Sequence, residues 1–394
     1  MPRVIHVLSS LDTGGVERRV IGQMPELQQR DDGLDHGLIA LRGGRLADAA
    51  RRTMDQAGVP LWVLDKGRGW DSTANQALGS AMEEFRPDLV TAYNFVAGLW
   101  TRLVARGRWG GTVVHEGGIR NAATWWGRTA EHFLRRWTRA RIFNSQATRM
   151  IWETALGESP RHHVVLNGVS VTSAPRSRRN DGVTRLITVG RLVAIKGVDI
   201  QLETLARLIR RGRAVRLVVV GDGPQQHSLK NRAQDLGVAD HVDWLGYRPD
   251  PEHELAAADI FLCTSYNETF SLTLCEAMAQ ELVCLAPRVG GPAEIIRHEV
   301  DGLLLPCRVK PSAELAAQLP SMVAEPDTGI VRAPLGIHPD DLAGAVEEVL
   351  DAGDDLRAMR ESARERITTR FSRQRYVDDL AGCYQTILRG GGDS

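Results

Sequence analysis

Short apolar runs alternate with longer amphipathic segments from the start of the chain. "VIHVL" (4–8), "GLIAL" (37–41), "LWVLD" (61–65), "DLVTAY" (88–93), "GTVVHE" (111–116), "RIFNS" (141–145) and "HHVVLN" (162–167) have the length and continuity of buried strands. Helix-length stretches such as "GVERRVIGQMPELQQR" and "STANQALGSAMEEF" lie between them. This alternation predicts right-handed crossovers and a parallel sheet covered by helices on both faces.

The pattern lapses over residues 170–184, "SVTSAPRSRRNDGVT", which are polar, contain Pro and Gly, and read as a linker. A second alternating series follows: "RLITVG" (185–190), "VRLVVVG" (215–221), "HVDWLG" (241–246), "DIFLCTS" (259–265), "LVCLAP" (282–287) and "GLLLP" (302–306). Periodicity therefore predicts two doubly wound α/β domains, at 1–169 and 185–371. A final segment, 372–394, holds a helix over 372–388, expected to cross back to the first domain, and a polar tail. Residues 308–340 look irregular. At 394 residues the chain also exceeds what one ordinary core holds. Ligands of such sheets bind at the carboxyl ends of strands, so a cleft between the two domains is the expected site.

Composition narrows the setting more than the chemistry. Lys plus Arg equals Asp plus Glu at 49 each, so no overall charge draws the chain to nucleic acid. Five cysteines form no C-x-x-C pair, which argues against a disulfide framework or a zinc site and for a reducing, cytoplasmic compartment. The N-terminal apolar run is interrupted too soon by Asp12 to read as a signal peptide. No stretch approaches ~20 consecutive apolar residues.

Three stretches carry candidate chemistry. In "VGRLVAIKG" a strand ends at Gly190, and Arg191 and Lys196 flank a loop leading into a helix. Two cations at a strand's carboxyl end beside a helix N-terminus suit a diphosphate; two solvated rim cations are the other reading. "DTGGVER" repeats the strand–glycine–helix design at Gly14 and Gly15, where a tight turn without a ligand is equally consistent. No G-x-G-x-x-G accompanies it, so nothing favours a dinucleotide dehydrogenase. In "YNETFSLTLCEAM" Glu268 falls in a loop after a strand, Ser271 is a candidate N-cap, and Glu276 lies a turn inside the following helix. Carboxylates so placed can accept from vicinal hydroxyls of a ribose or a hexose, or can be solvated and capping groups.

Taken in order, these stretches, with "VVGDGP", "WLGY", "VGGPAEII" and "DGLLLP", resemble the retaining glycosyltransferases of family four over nearly the whole chain. The most specific element is the E-x7-E signature, matched by Glu268 and Glu276. The resemblance implies the GT-B architecture, two Rossmann-like domains facing a central cleft, the first for acceptor and the second for a nucleoside-diphosphate sugar. It implies that Arg191 and Lys196 grip the donor diphosphate and that Glu276 takes the ribose hydroxyls. Glu268 and the backbone around Phe270, Ser271 and Leu272 would meet the donor sugar and phosphates. Gly14 and Gly15 would bring a helix dipole to the diphosphate, Gly246 and Tyr247 would lie near the base, and His115 near the transferred sugar. Asn94, Glu116 and Arg120 are the acceptor candidates. The chain departs from the family pattern with Ser271 where glycine is common, with "ELVC" (281–284) where a Gly and a Pro are common, and with about thirty extra residues after "GLLLP".

On this resemblance the reaction moves a hexose or N-acetylhexosamine, from a UDP-sugar by preference, to an acceptor hydroxyl by front-side displacement. No cofactor is expected and, without a D-x-D, no metal. The acceptor is open: a natural-product or aminocyclitol intermediate, or a cell-envelope glycan or lipid-linked precursor. The basic, tryptophan-rich stretch at 121–143 could rest on the cytoplasmic face of a membrane, or pack its aromatics on the sheet. The alternatives are a sugar phosphorylase or sucrose- or trehalose-synthase-like relative, and a non-catalytic nucleotide-sugar-binding subunit.

Overall fold

The computed structural model describes residues 1–12, 15–67, 69, 71–171 and 181–390, except the side chains of Arg120 and Asp354. The chain forms two compact units, Met1–Leu166 with Arg373–Ser394, and Asn167–Ser372. Most of the segment read as a linker lies outside the described residues.

In the first unit β1 (Arg3–Leu8), α1 (Gly15–Gln28), β2 (Asp35–Ala40), α2 (Ala47–Ala57), β3 (Leu61–Val63), α3 (Ser72–Phe85) and β4 (Leu89–Tyr93) alternate. The series continues through α4 (Asn94–Ala105), β5 (Thr112–Glu116), α5 (Arg120–Ala123), α6 (Trp125–Leu134), β6 (Thr138–Phe143), α7 (Gln146–Leu156) and β7 (His162–Val164). The strands form one sheet in the order β3-β2-β1-β4-β5-β6-β7, with every pair parallel. The apolar runs become strands because both faces are covered: all five residues of β4 and of β5 are buried. Caps set helix starts where the sequence supplies them. Asp71 accepts from Ala74 N at 3.0 Å to open α3, and Ser145 accepts from Thr148 N at 3.0 Å to open α7. β6 begins three residues before the apolar run suggests, because Arg139 and Arg141 interrupt that run.

The second unit repeats the design with β8 (Thr184–Val189), α8 (Val198–Arg210), β9 (Val215–Val220), α9 (Gln226–Asp235), β10 (Val242–Gly246), α10 (Glu252–Ala256), β11 (Ile260–Leu262) and α11 (Leu272–Ala279). Next come β12 (Val283–Pro287), α12 (Gly290–Ile295) and β13 (Leu303–Leu305). Its sheet runs β10-β9-β8-β11-β12-β13, again all parallel. The stretch that looks irregular is partly built. β14 (Cys307–Val309) pairs antiparallel with β17 (Gly336–Ile337), and β15 (Val323–Glu325) with β16 (Ile330–Arg332), around the short α13 (Ala313–Ala316). Val323 and Ala324 are fully buried. Helices α14 (Pro339–Ala352) and α15 (Arg357–Arg370) finish the unit, and α16 (Arg373–Arg389) returns to the first, where Val377, Leu380 and Tyr384 join its core.

In each sheet the strand order reverses at one point, between β1 and β4 and between β8 and β11. Open parallel sheets bind ligands outside the carboxyl ends of such neighbours, where the two following loops diverge.

Candidate donor site and the first-unit polar clusters

At the β8–β11 reversal the chain leaves β8 through Gly190 and Arg191 and enters α8 at Gly197. Gly197 has φ +62°, and a Cβ there would sit 2.4 Å from Thr264 O, so only glycine allows the approach. The hydroxyl of Thr264 donates toward Gly197 O at 2.8 Å, joining this loop to the continuation of β11. One small pocket results, lined by Arg191, Lys196, Glu268 and Ser271 together with Thr188, Cys263 and Ser265.

Within it Lys196 Nζ donates to Glu268 Oε2 at 2.6 Å, and Ser265 Oγ donates to the same oxygen at 3.1 Å. Burial by itself depresses the lysine, but the adjacent Glu268 carboxylate outweighs it, and the ammonium is held above its ordinary value. The Glu268 loop is gripped by the "VGGP" stretch. Gly291 N donates to Glu268 O at 2.8 Å, and side chains at Gly290 or Gly291 would come within 2.2 Å of the carbonyls of Glu268 and Phe270.

Ser271 stands at the N-cap position of α11, yet its side chain makes no cap bond. Its φ of 87° and ψ of 79° are left-handed, whereas a capping serine is extended. Phe270 is buried against Phe371, ring centres 5.9 Å apart, and Leu272 opens the helix. Glu276 is not in the Lys196 pocket. It lines a neighbouring hollow of about 250 Å³ with Pro249, Asp250, Glu252 and Gln280. Gly246 closes β10 with φ +68°, and Tyr247 beside it is 47% exposed.

In the first unit Gly15 begins α1, and a Cβ on it would meet nothing within 4 Å, so packing does not require the glycine. Gly14 and the side chain of Arg120 lie outside the described residues. Asn94 opens α4 at the β1–β4 reversal with φ 68°.

His115 is 6% exposed and sits in a buried chain of polar groups. Its Nε2 meets Tyr384 Oη at 3.0 Å, Tyr384 meets Tyr93 at 3.3 Å, Tyr93 meets His6 Nδ1 at 3.0 Å, and His6 Nε2 meets His36 Nδ1 at 3.0 Å. The His115 ring stacks on Tyr93 at 4.2 Å. Burial pushes His6 and His115 well below the usual histidine range and His36 to about 4.

Glu116 belongs to a second buried cluster. Arg141 donates to Glu116 at 2.8 Å and to Glu131 at 2.6 Å, while Arg102 grips both oxygens of Glu131 at 2.7 Å. Burial pushes the Glu116 carboxyl up to about 7, against the opposing pull of Arg141. Sequence reasoning finds neither cluster, because their members sit on separate elements at no fixed spacing.

On α6 Trp125 is 73% exposed, and Trp126 and Phe133 also face outward, so they do not pack on the sheet. Among the described residues no helix is long and apolar enough to cross a membrane, and no three His, Cys, Asp or Glu side chains converge as a metal site would need.

Two Rossmann-like parallel sheets, the second with an anion-suited pocket at its strand reversal, define the GT-B class of fold. Family models place the chain more narrowly: residues 13–173 match Glycosyltransferase Family 4 and residues 172–328 match Glycosyl transferases group 1. The two matches adjoin, and the chain belongs to this glycosyltransferase family.

Among curated relatives, an exopolysaccharide phosphotransferase of Streptomyces coelicolor is 36% identical over 42% of this chain and 18% of its own length. D-inositol 3-phosphate glycosyltransferase of Corynebacterium kroppenstedtii is 28% identical over 69% of this chain and 60% of its own. The chain thus spans less than two thirds of either protein. In fold it is similar to Anabaena HepE in complex with UDP, with a TM-score of 0.76 and 19% identity over 98% of this chain and 100% of that one; HepE is also known in complex with UDP-glucose.

Proposed function

We propose that this protein is a retaining, metal-independent glycosyltransferase that moves a hexose or N-acetylhexosamine from a UDP-sugar to an acceptor hydroxyl. The observation that carries the reading is the convergence of Arg191, Lys196 and Glu268 on one pocket at the β8–β11 reversal. Two cations and a carboxylate there match the two ends of a sugar diphosphate: the cations take phosphate oxygens and Glu268 takes sugar hydroxyls. Glu276, in the neighbouring hollow, is assigned to the ribose.

As the glycosidic bond breaks, negative charge grows on the departing phosphate, and fixed cations stabilise that charge without reorganising. The departing oxygen then accepts the acceptor's proton on the face from which it leaves, which retains configuration. UDP is favoured because a protein of the same fold, HepE, binds UDP and UDP-glucose. A cyclitol-like or cell-envelope acceptor fits the inositol-phosphate relative, and the outward Trp125, Trp126 and Phe133 suit peripheral membrane contact for a lipid-linked one.

Thermal stabilisation with UDP-, GDP-, dTDP- and ADP-sugars tests the donor. A ligand at ~100 Kd raises stability by about 2.7 kcal/mol. A shift with UDP-sugars that Arg191→Gln removes is expected. Absence of any shift, or phosphate-dependent turnover without a nucleotide sugar, sinks the reading.

A further inference from the structure

The first unit holds a cavity of about 810 Å³ at the amino ends of its strands. Gly111 ahead of β5, Arg136 and Trp137 ahead of β6, and Arg161 ahead of β7 form its wall. Asn94 and Glu116 lie at the opposite, carboxyl ends of β4 and β5, ~17 Å away along a strand. The cavity is therefore separate from the acceptor candidates of this unit.

Its charge is one-sided. Among the described residues, Arg136, Arg139 and Arg161 line it with a single acid, Asp88, whose carboxylate already accepts from Arg3 N at 2.8 Å. Arg139 is engaged elsewhere: it donates to Ile387 O at 2.9 Å, at the negative end of α16. The other two guanidiniums bond only to carbonyls. Arg136 Nε donates to Phe133 O at 3.0 Å, with its guanidinium carbon 4.1 Å from the Phe133 ring centre and 5.2 Å from that of Trp137, and Arg161 Nη1 donates to Thr138 O at 3.4 Å. Neither makes an ion pair among the described residues. Both residues are exposed, so their remaining donors face solvent and are open to a ligand.

The aromatic part of the wall has its own abnormality. Trp109, which lines the cavity, holds φ 56°, a left-handed conformation that a bulky side chain rarely adopts. Such outliers persist where their surroundings impose them, and they cluster at ligand clamps. Here the result is two indoles, Trp109 and Trp137, in the wall that also carries two unpaired guanidiniums.

We propose that this cavity binds an organic phosphate. Arg136 and Arg161 take the phosphate oxygens, and the uncharged part of the ligand rests on Trp109 and Trp137. The volume is that of a small-molecule site and far exceeds the needs of a bare phosphate ion. A soluble sugar phosphate and a phospholipid headgroup share this chemistry.

Both sources are tested on the full chain, with glucose 6-phosphate by calorimetry and with vesicles about one-third phosphatidylglycerol by co-sedimentation. Arg136→Gln/Arg161→Gln should weaken binding at least about tenfold, while Arg191→Gln in the second unit should leave it intact. Binding of glucose 6-phosphate that the double variant loses supports a soluble ligand, and vesicle binding lost in the same way supports a headgroup. Trp109→Ala, which keeps every charge, should also weaken whichever probe binds. Arg51→Gln/Arg52→Gln removes two exposed charges on α2, outside the cavity, and should change nothing. The proposal is overturned if neither probe binds, if the Arg136/Arg161 variant binds as well as the parent, or if the Arg51/Arg52 control weakens binding equally.

Discussion

Ser271→Gly should stabilise the second unit. A non-glycine residue in the left-handed region costs about 1–2 kcal/mol, and Ser271, at φ 87° and ψ 79°, lies toward the edge of that region. Its hydroxyl makes no cap bond that would offset this cost. Glycine removes the Cβ clash but gives up about 0.5–1 kcal/mol in the entropy of the unfolded chain. The net gain is about 0.5–1 kcal/mol, or about 1–4 °C in the midpoint of a unit of this size. Differential scanning calorimetry of the parent, Ser271→Gly, Ser271→Ala and Ser271→Val measures it. Alanine keeps the Cβ and loses no cap bond, so its midpoint should stay close to the parent's. Valine, stiff and β-branched, should cost about 1–3 kcal/mol. A lower midpoint for Ser271→Gly, with Ser271→Ala unchanged, would refute the strain argument.

Three further outcomes are expected. Lys196→Ala and Glu268→Gln should each lower the rate of sugar transfer by about 10²–10³-fold while the protein still folds; unchanged turnover in both would remove the pocket from the chemistry. Glu131→Ala strands the fully buried Arg102 and leaves Arg141 only Glu116, and should destabilise the first unit by about 3–5 kcal/mol in denaturant titration; a loss under about 1 kcal/mol would contradict the burial seen here. The first unit should also lose stability in acid. His36 titrates near 4 when folded and 6.5 when unfolded, so the unfolded chain binds more protons between those values. Its contribution is fully present above 6.5 and falls as pH drops toward 4, by ~2 kcal/mol at pH 5. His6 and His115 act in the same direction, and Glu116, raised to about 7, acts oppositely between 4.5 and 7. A pH 5 midpoint equal to that at pH 8, or an acid loss that His36→Gln leaves undiminished, would show that the buried histidines do not govern it.

The alternation of apolar runs was enough to predict two parallel α/β sheets, because burial on both faces leaves a local mark on every strand. The residues of the Arg191–Lys196–Glu268 pocket could be singled out in sequence because they lie close along the chain in two short stretches. Arg191 and Lys196 are five positions apart and Glu268 and Glu276 eight, each pair on one loop and the helix it feeds, so spacing carries the geometry. Only the tertiary structure brought the two pairs' loops side by side at the β8–β11 reversal, and it admitted Glu268 to the Lys196 pocket while leaving Glu276 in the next hollow. Ser271 could be recognised as unusual in sequence, but its left-handed backbone, next to a loop whose Glu268 carbonyl accepts from Gly291 N, is visible only in the structure. The histidine–tyrosine chain, the Arg102–Glu131–Arg141–Glu116 cluster and the amino-end cavity were beyond reach of any pattern. Their members come from different strands and helices, and a buried charge is tolerable only beside partners that strand order supplies. Local chemistry along the chain determined which segments would be strands and which loops carry the cations Arg191 and Lys196 and the carboxylates Glu268 and Glu276. The order in which those strands pair decided what surrounds each charge.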